Sequence, residues 1–245
     1  MKIQTILGVG AAASVALTVG LVTPATAATS TVAVYEDTAS AQGWGQGFTA
    51  GTPSLDWTTG GIEFSTPGGS DKIQFGTAYS GSLASITELS YDAAVIQAGG
   101  AATLAINLIA DSNGSATGGF VTLVYEPVYN GGSLDAIQDG AAIWWATRDF
   151  GTTLRTERVT FDALKALIPE ATVSAVLFNQ GSGNAGLISL GRSLTLNNTQ
   201  YVFVAGAPPV QLASAADCKK SGWRTSELPV FTNQGDCVSF FASLR

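Results

Sequence analysis

Short runs of alternating apolar and polar residues, each closed by Gly, Pro, Asn, Asp or Ser, recur from residue 31 to residue 204. A period of two puts every second side chain on one face, which is the pattern of a half-buried strand. Expected strands are 31–35, 61–65, 72–77, 85–97, 102–111, 119–126, 142–148, 172–178, 187–196 and 200–204. In 102–111, Leu104, Ile106 and Leu108 share one face, and Thr103, Ala105 and Asn107 the other. The next strand alternates in the same way, and the turn residues 111–114 with Gly118 and Gly119 make the two a hairpin. One helix interrupts the series: Thr160 caps it, Val159 and Leu164 form a hydrophobic staple, Asp162 lies in the first turn and Pro169 follows the end. A parallel α/β sheet needs a helix after nearly every strand. The expected fold is therefore all-β: an antiparallel two-sheet sandwich, jelly-roll-like, with one short surface helix.

The ends of the chain differ from this body. Residues 1–28 read as an export signal: Met1 and Lys2 open it, an apolar stretch runs from Ile6 to Val22, and small residues end it, with cleavage expected after Ala27 or Ala28. An uncleaved anchor is the competing reading, weakened by the glycines and threonine within the stretch. The sandwich is expected over 29–204, without a membrane span once the signal is removed, then a linker at 205–216 and a small element at 217–245. Cys218 and Cys237 are the only cysteines, and in an exported chain they are most simply a disulfide. A loop of that size contributes about 3 kcal/mol by chain entropy. Asp236 is placed to cap a last helix whose Cys237, Phe240, Phe241 and Leu244 share one face.

Charge and histidine content narrow the function. The chain has no histidine, which removes Ser-His-Asp and Cys-His nucleophilic sites, His-ligated zinc and His-ligated haem. Loss of Lys2 with the signal leaves ten Lys and Arg against 18 Asp and Glu, a formal charge of −8. With so few and such scattered cations, nucleic acid is excluded as the expected partner. An acidic, charge-poor extracellular protein suits a neutral ligand, and an extracellular polysaccharide or cell-envelope glycan fits that description.

Three stretches carry a resemblance: Thr122-Leu-Val-Tyr-Glu-Pro-Val-Tyr-Asn130, Ala142-Ile-Trp-Trp-Ala-Thr-Arg148 and Asn179-Gln-Gly-Ser-Gly-Asn-Ala-Gly-Leu187. Together they resemble a group of secreted bacterial β-sandwich proteins frequent in actinobacteria. Cys218-Lys-Lys-Ser-Gly-Trp-Arg-Thr225 with Phe231-Thr-Asn-Gln-Gly-Asp-Cys-Val-Ser-Phe240 is similar to a two-cysteine element that ends many actinobacterial exported proteins. The resemblance implies fold and compartment, and supplies no catalytic residue.

Glycan binding asks for a flat aromatic face ringed by amides and carboxylates. Trp144 and Trp145 are adjacent on a strand and point to opposite faces, so both cannot lie in one core. Trp144 shares parity with Arg148, which makes Trp144 the expected ligand-facing ring, with Glu126 as neighbour; the alternative is a second tryptophan packed beneath the 160–168 helix. Asn179, Gln180 and Asn184, with Ser182, form a run of amides and hydroxyl able to hydrogen-bond a sugar. Trp44 and Trp57 fall in Gly-rich segments read as loops.

Two other classes compete with a binder. A structural or cell-envelope protein needs no small ligand. A jelly-roll glycoside hydrolase needs two carboxylates about 5 Å apart for retention, or further for inversion. Glu63, Glu88, Asp92 and Glu126 are spread over different segments, so no such pair is expected. No cofactor is expected either; Asp111, Asn113 and Ser115 repeat oxygen ligands as calcium loops do, but Thr122 stands where the bidentate Glu belongs, and an ordinary turn explains them better.

Overall fold

The computed structural model describes residues 30–99, 103–114, 118–149 and 157–244. The signal segment 1–28 and Ser115 of the calcium-type triplet lie outside the described residues. In chain order the strands are β1 (Ser30–Tyr35), β2 (Trp44–Gln46), β3 (Ser54–Thr58), β4 (Gly61–Thr66), β5 (Ile73–Ser82), β6 (Leu89–Gln97), β7 (Ala105–Asp111), β8 (Phe120–Tyr125), β9 (Ile143–Ala146), β10 (Val159–Thr160), β11 (Thr172–Gln180), β12 (Leu187–Leu196) and β13 (Thr199–Val204). The helices are α1 (Phe161–Leu167) and α2 (Gln234–Ser243).

The strands form two sheets packed face to face. The second sheet runs β10-β9-β8-β7-β11-β5-β2 and is antiparallel at every pairing. The first is organised around β12: β6 lies along one edge, and the other edge is shared by β4, paired with Leu187–Gly191, and β13, paired with Ser193–Leu196. β3 extends β4, and β1 lies beside β13 in parallel, which departs from the expected all-antiparallel pairing. Alternation cannot reveal that direction, because a strand's buried face is the same whichever way its neighbour runs.

The β7–β8 hairpin shows how pattern becomes core. Leu108 pairs with Leu123 and Ile106 with Tyr125, and all four side chains are fully buried. Burial of each such aliphatic group is worth about 2 kcal/mol. At the turn, Ser112 N–H donates to Gly119 O at 2.8 Å, and Asp111 Oδ1 accepts from Asn113 N–H at 3.1 Å. Phe203 of β13 lies within aromatic contact of Trp44, Trp57, Phe75 and Phe178, bridging the sheets. Trp44 and Trp57 are thus corrected from loop to strand: they sit on β2 and β3, short segments whose flanking glycines mask the pattern. The phenol of Tyr91 donates to Leu104 O at 2.7 Å, and burial pushes its pKa well above the ordinary range.

Both helices have side-chain caps. Thr160 Oγ1 accepts from Ala163 N–H at 3.2 Å, as expected, and α1 buries Phe161 and Leu164. In α2 the cap is Asn233 rather than Asp236: Asn233 Oδ1 accepts from Asp236 N–H at 2.9 Å, while Asp236 Oδ2 accepts from Thr232 N–H at 3.1 Å. The helix starts before the predicted position because Asn233, three residues earlier, is an equally good cap. The disulfide joins Cys218 and Cys237 with Cα atoms 5.8 Å apart, and Phe231, Trp223 and Phe241 pack around it in a small separate core. Within the expected linker, the Val210 backbone is bonded to this element: its O accepts from Glu227 N–H at 2.8 Å and its N–H donates to the Glu227 side-chain Oε2 at 2.9 Å.

Candidate functional site

The site is built from register on the outer face of the second sheet. β9 splits the tryptophan pair as expected, but in the opposite sense. Trp144 has no exposed surface; its indole N–H donates to Ala136 O at 2.8 Å, and it packs between Tyr125 and Phe161 of α1. It belongs to the core, beneath the helix, and is not a ligand-facing ring. Trp145, in register with Val124 of β8, faces outward and is half-buried. Arg148 misleads because β9 ends at Ala146, so parity with Trp144 does not reach it. Its exposed guanidinium donates from Nη1 to Gly118 O at 2.6 Å and reaches Phe120 O at 3.4 Å, and it does not line the cavity.

Outward-facing residues of four strands, with Lys72 just before β5, line a cavity of about 230 Å³: Trp145 from β9, Thr122 and Val124 from β8, Asn107 from β7 and Asn179 from β11. Glu126, Thr147, Gly181 and Ser182 complete the lining from the strand ends. Trp145 Nε1 donates to Glu126 Oε2 at 2.7 Å, which fixes both the ring and the carboxylate. Asn179 Oδ1 accepts from Gln74 Nε2 at 3.2 Å, and Gln74 Oε1 in turn accepts from Phe48 N–H at 3.1 Å. Burial draws the pKa of the Lys72 ammonium below its ordinary value, and that group stands 5.5 Å from the Phe48 ring. Asn107 is only 2% exposed, and its Oδ1 is buried without a hydrogen-bond partner. A buried amide oxygen left unpaired destabilises by about 1–3 kcal/mol.

The structure therefore brings together Glu126, Asn179 and Ser182 of the expected residues and disperses the others. Gln180 points into the core, with Nε2 within hydrogen-bond reach of Thr66 Oγ1, Leu187 O and Phe64 O. β11 extends through Gln180, so neighbours in one polar run fall on opposite faces. Asn184 closes its own loop through Gly181 O at 3.2 Å. Asp111 and Asn113 make a local turn, and among the described residues no group of three His, Cys, Asp or Glu is placed to hold a metal. Asn107, Trp145 and Lys72 were not anticipated as site residues. Asn107 carried a readable signal: asparagine is disfavoured inside strands, yet here it stands in mid-strand among Ile and Leu.

Chemically, the groove offers an indole face, amides, hydroxyls, one carboxylate and one ammonium. Among the described lining residues Glu126 is the one carboxylate; Asp92 is paired with Arg192 at 3.1 Å on the first sheet, and Glu88 and Asp139 do not line the groove. Such a set suits stacking and hydrogen bonding. Among the described residues no helix is long and apolar enough to cross a membrane. No protein-family model, no curated protein and no solved structure matches this chain, so no relative's chemistry bears on the groove.

Proposed function

We propose that this chain is an exported, non-catalytic β-sandwich protein that binds a neutral extracellular or cell-envelope polysaccharide in the outer-face groove. The carrying observation is Trp145, held by Glu126, lining one cavity with Asn107, whose buried Oδ1 has no hydrogen-bond partner. A pyranose ring stacks its C–H face on indole while its hydroxyls exchange hydrogen bonds with amides and carboxylate. Asn107, Asn179, Thr122, Ser182 and Glu126 supply both donors and acceptors. Export is supported by the leader-like 1–28 and by the disulfide, which persists in oxidising compartments. The resemblance to secreted actinobacterial sandwiches points to the same compartment.

The test is retention on insoluble cellulose, chitin, xylan, mannan and β-1,3-glucan, comparing the native chain with Trp145→Ala and Asn107→Leu. Retention of the native chain on one of these, lost in both variants, is the expected result. Native protein that stays unbound on the whole panel, or a Trp145→Ala variant that binds like the native chain, defeats the reading.

A further inference from the structure

We infer that the groove holds an internal stretch of a polysaccharide chain, which leaves it at both ends over Phe120 and Phe48. This rests on the glycan reading of the groove and adds the length and direction of the ligand. The two most exposed aromatic rings among the described residues are Phe120 at 67% and Phe48 at 62%. Single exposed apolar residues are ordinary on a protein surface. Their positions are less ordinary, because each adjoins one end of the same groove.

Phe120 shares the outer face of β8 with Thr122 and Val124, two and four residues further along, and both of those line the groove. At the other end Lys72 lines the groove and its ammonium stands 5.5 Å from the Phe48 ring. Phe48 is pinned there by its backbone N–H bond to Gln74 Oε1, and Gln74 also holds Asn179. The span follows from register. Thr122, two residues along β8 from Phe120, aligns with Ala78 through Ile109 and Ala175, and Lys72 lies six residues further back. At about 3.3 Å per residue the two ends are roughly 25 Å apart along the strands.

No monosaccharide or disaccharide reaches both rings; an extended chain does. Trp145 and the unpaired Asn107 lie between the ends, in one register row with Val124. That row meets the middle of the chain. Among the described residues, one ammonium and one carboxylate line the cavity. At the Phe120 end the opposite charges of Asp111, its cross-strand partner, and Arg148, whose Nη1 reaches Phe120 O at 3.4 Å, stand together, so the path is near neutral, consistent with an uncharged polymer.

The experiment is calorimetric titration with fragments of two to six sugar units, prepared from whichever polysaccharide of the panel retains the native chain. The variants are Phe48→Ala, Phe120→Ala and Trp145→Ala. Both phenylalanines are exposed, so their removal leaves the core intact. Affinity should rise with fragment length, and each phenylalanine variant should weaken the hexasaccharide by roughly fivefold while leaving the disaccharide unchanged. Trp145→Ala should abolish binding at every length. A hexasaccharide that binds no tighter than the disaccharide, or phenylalanine variants indistinguishable from native, overturns the chain-spanning inference, with the glycan reading intact if Trp145→Ala still loses binding. Failure of every polysaccharide to retain the protein overturns both.

Discussion

The two faces of the second sheet are made from the same strands and differ in how they treat polar groups. On the inner face the polar atoms of large buried rings are satisfied by the chain itself. Tyr125 Oη reaches Ser133 O at 2.8 Å and Asp135 O at 2.9 Å, and the Trp144 N–H reaches Ala136 O. On the outer face, one residue away on the next strand, Asn107 keeps a buried oxygen unpaired beside a half-buried indole. The inner face is not wholly finished either, since Gln180 Oε1 is buried in the core without a hydrogen-bond partner. What sets the outer face apart is that its unpaired oxygen belongs to a residue lining a cavity, which Gln180 does not line.

The adjacent tryptophans give the largest contrast. Trp144→Ala empties a fully buried site between Tyr125 and Phe161 and should lower stability by about 3–5 kcal/mol, read by chemical denaturation. Trp145→Ala should lose less than half of that, while losing glycan retention. Equal destabilisation by the two would show that the faces do the same job. Next in size is Tyr125→Phe, which takes the phenolic donor from Ser133 O, while Asp135 O and Gln138 Nε2 keep their bond to each other at 3.0 Å. It should reduce stability by about 2 kcal/mol with groove binding unchanged.

The opposite sign is expected on the outer face. Asn107→Leu replaces an unpaired buried amide with a side chain of similar size, so stability should rise by about 1 kcal/mol as binding is lost. A destabilised Asn107→Leu variant would mean that the amide is satisfied within the fold and that the groove has no vacancy for a ligand.

Legibility from sequence followed the same division. The core strands could be read because alternation is a local property: Leu104, Ile106, Leu108 and their partners on β8 were in plain view. That Trp144 and Trp145 face opposite ways was equally plain. Which of them faces out was not, because the answer depends on where β9 ends, and a strand stops where its partner stops. The expected strand ran to Arg148; the pairing with β8 ends at Ala146. The same limit divided Asn179 from Gln180, since β11 continues two residues past the predicted end. β2 and β3 lie at sheet edges and are rich in turn residues, so neither length nor pattern announced them. The groove itself is non-local: its lining comes from residues up to 110 apart in sequence, Lys72 and Ser182, and only register brings them together.

The smallest expected effect belongs to Lys72, and it tests whether charge on the outer face is also left unpaired. Desolvation draws the folded-state pKa of this lysine below its ordinary 10.5, so the folded protein gives up the proton at lower pH than the unfolded chain does. The resulting penalty is present in full below the folded pKa and disappears as pH rises through it toward 10.5. Lys72→Met keeps the stem against Phe48 and removes the charge, so at pH 7 it should be more stable than native by at most about 0.5 kcal/mol. The difference should shrink as pH is raised toward the ordinary lysine value. Binding of a neutral glycan depends on no charge at this position and should survive the substitution. A Lys72→Met variant that is less stable than native at pH 7 would show that the ammonium is stabilised where it stands, as the polar atoms of the inner-face rings Tyr125 and Trp144 are, and would remove charge from the contrast between the two faces.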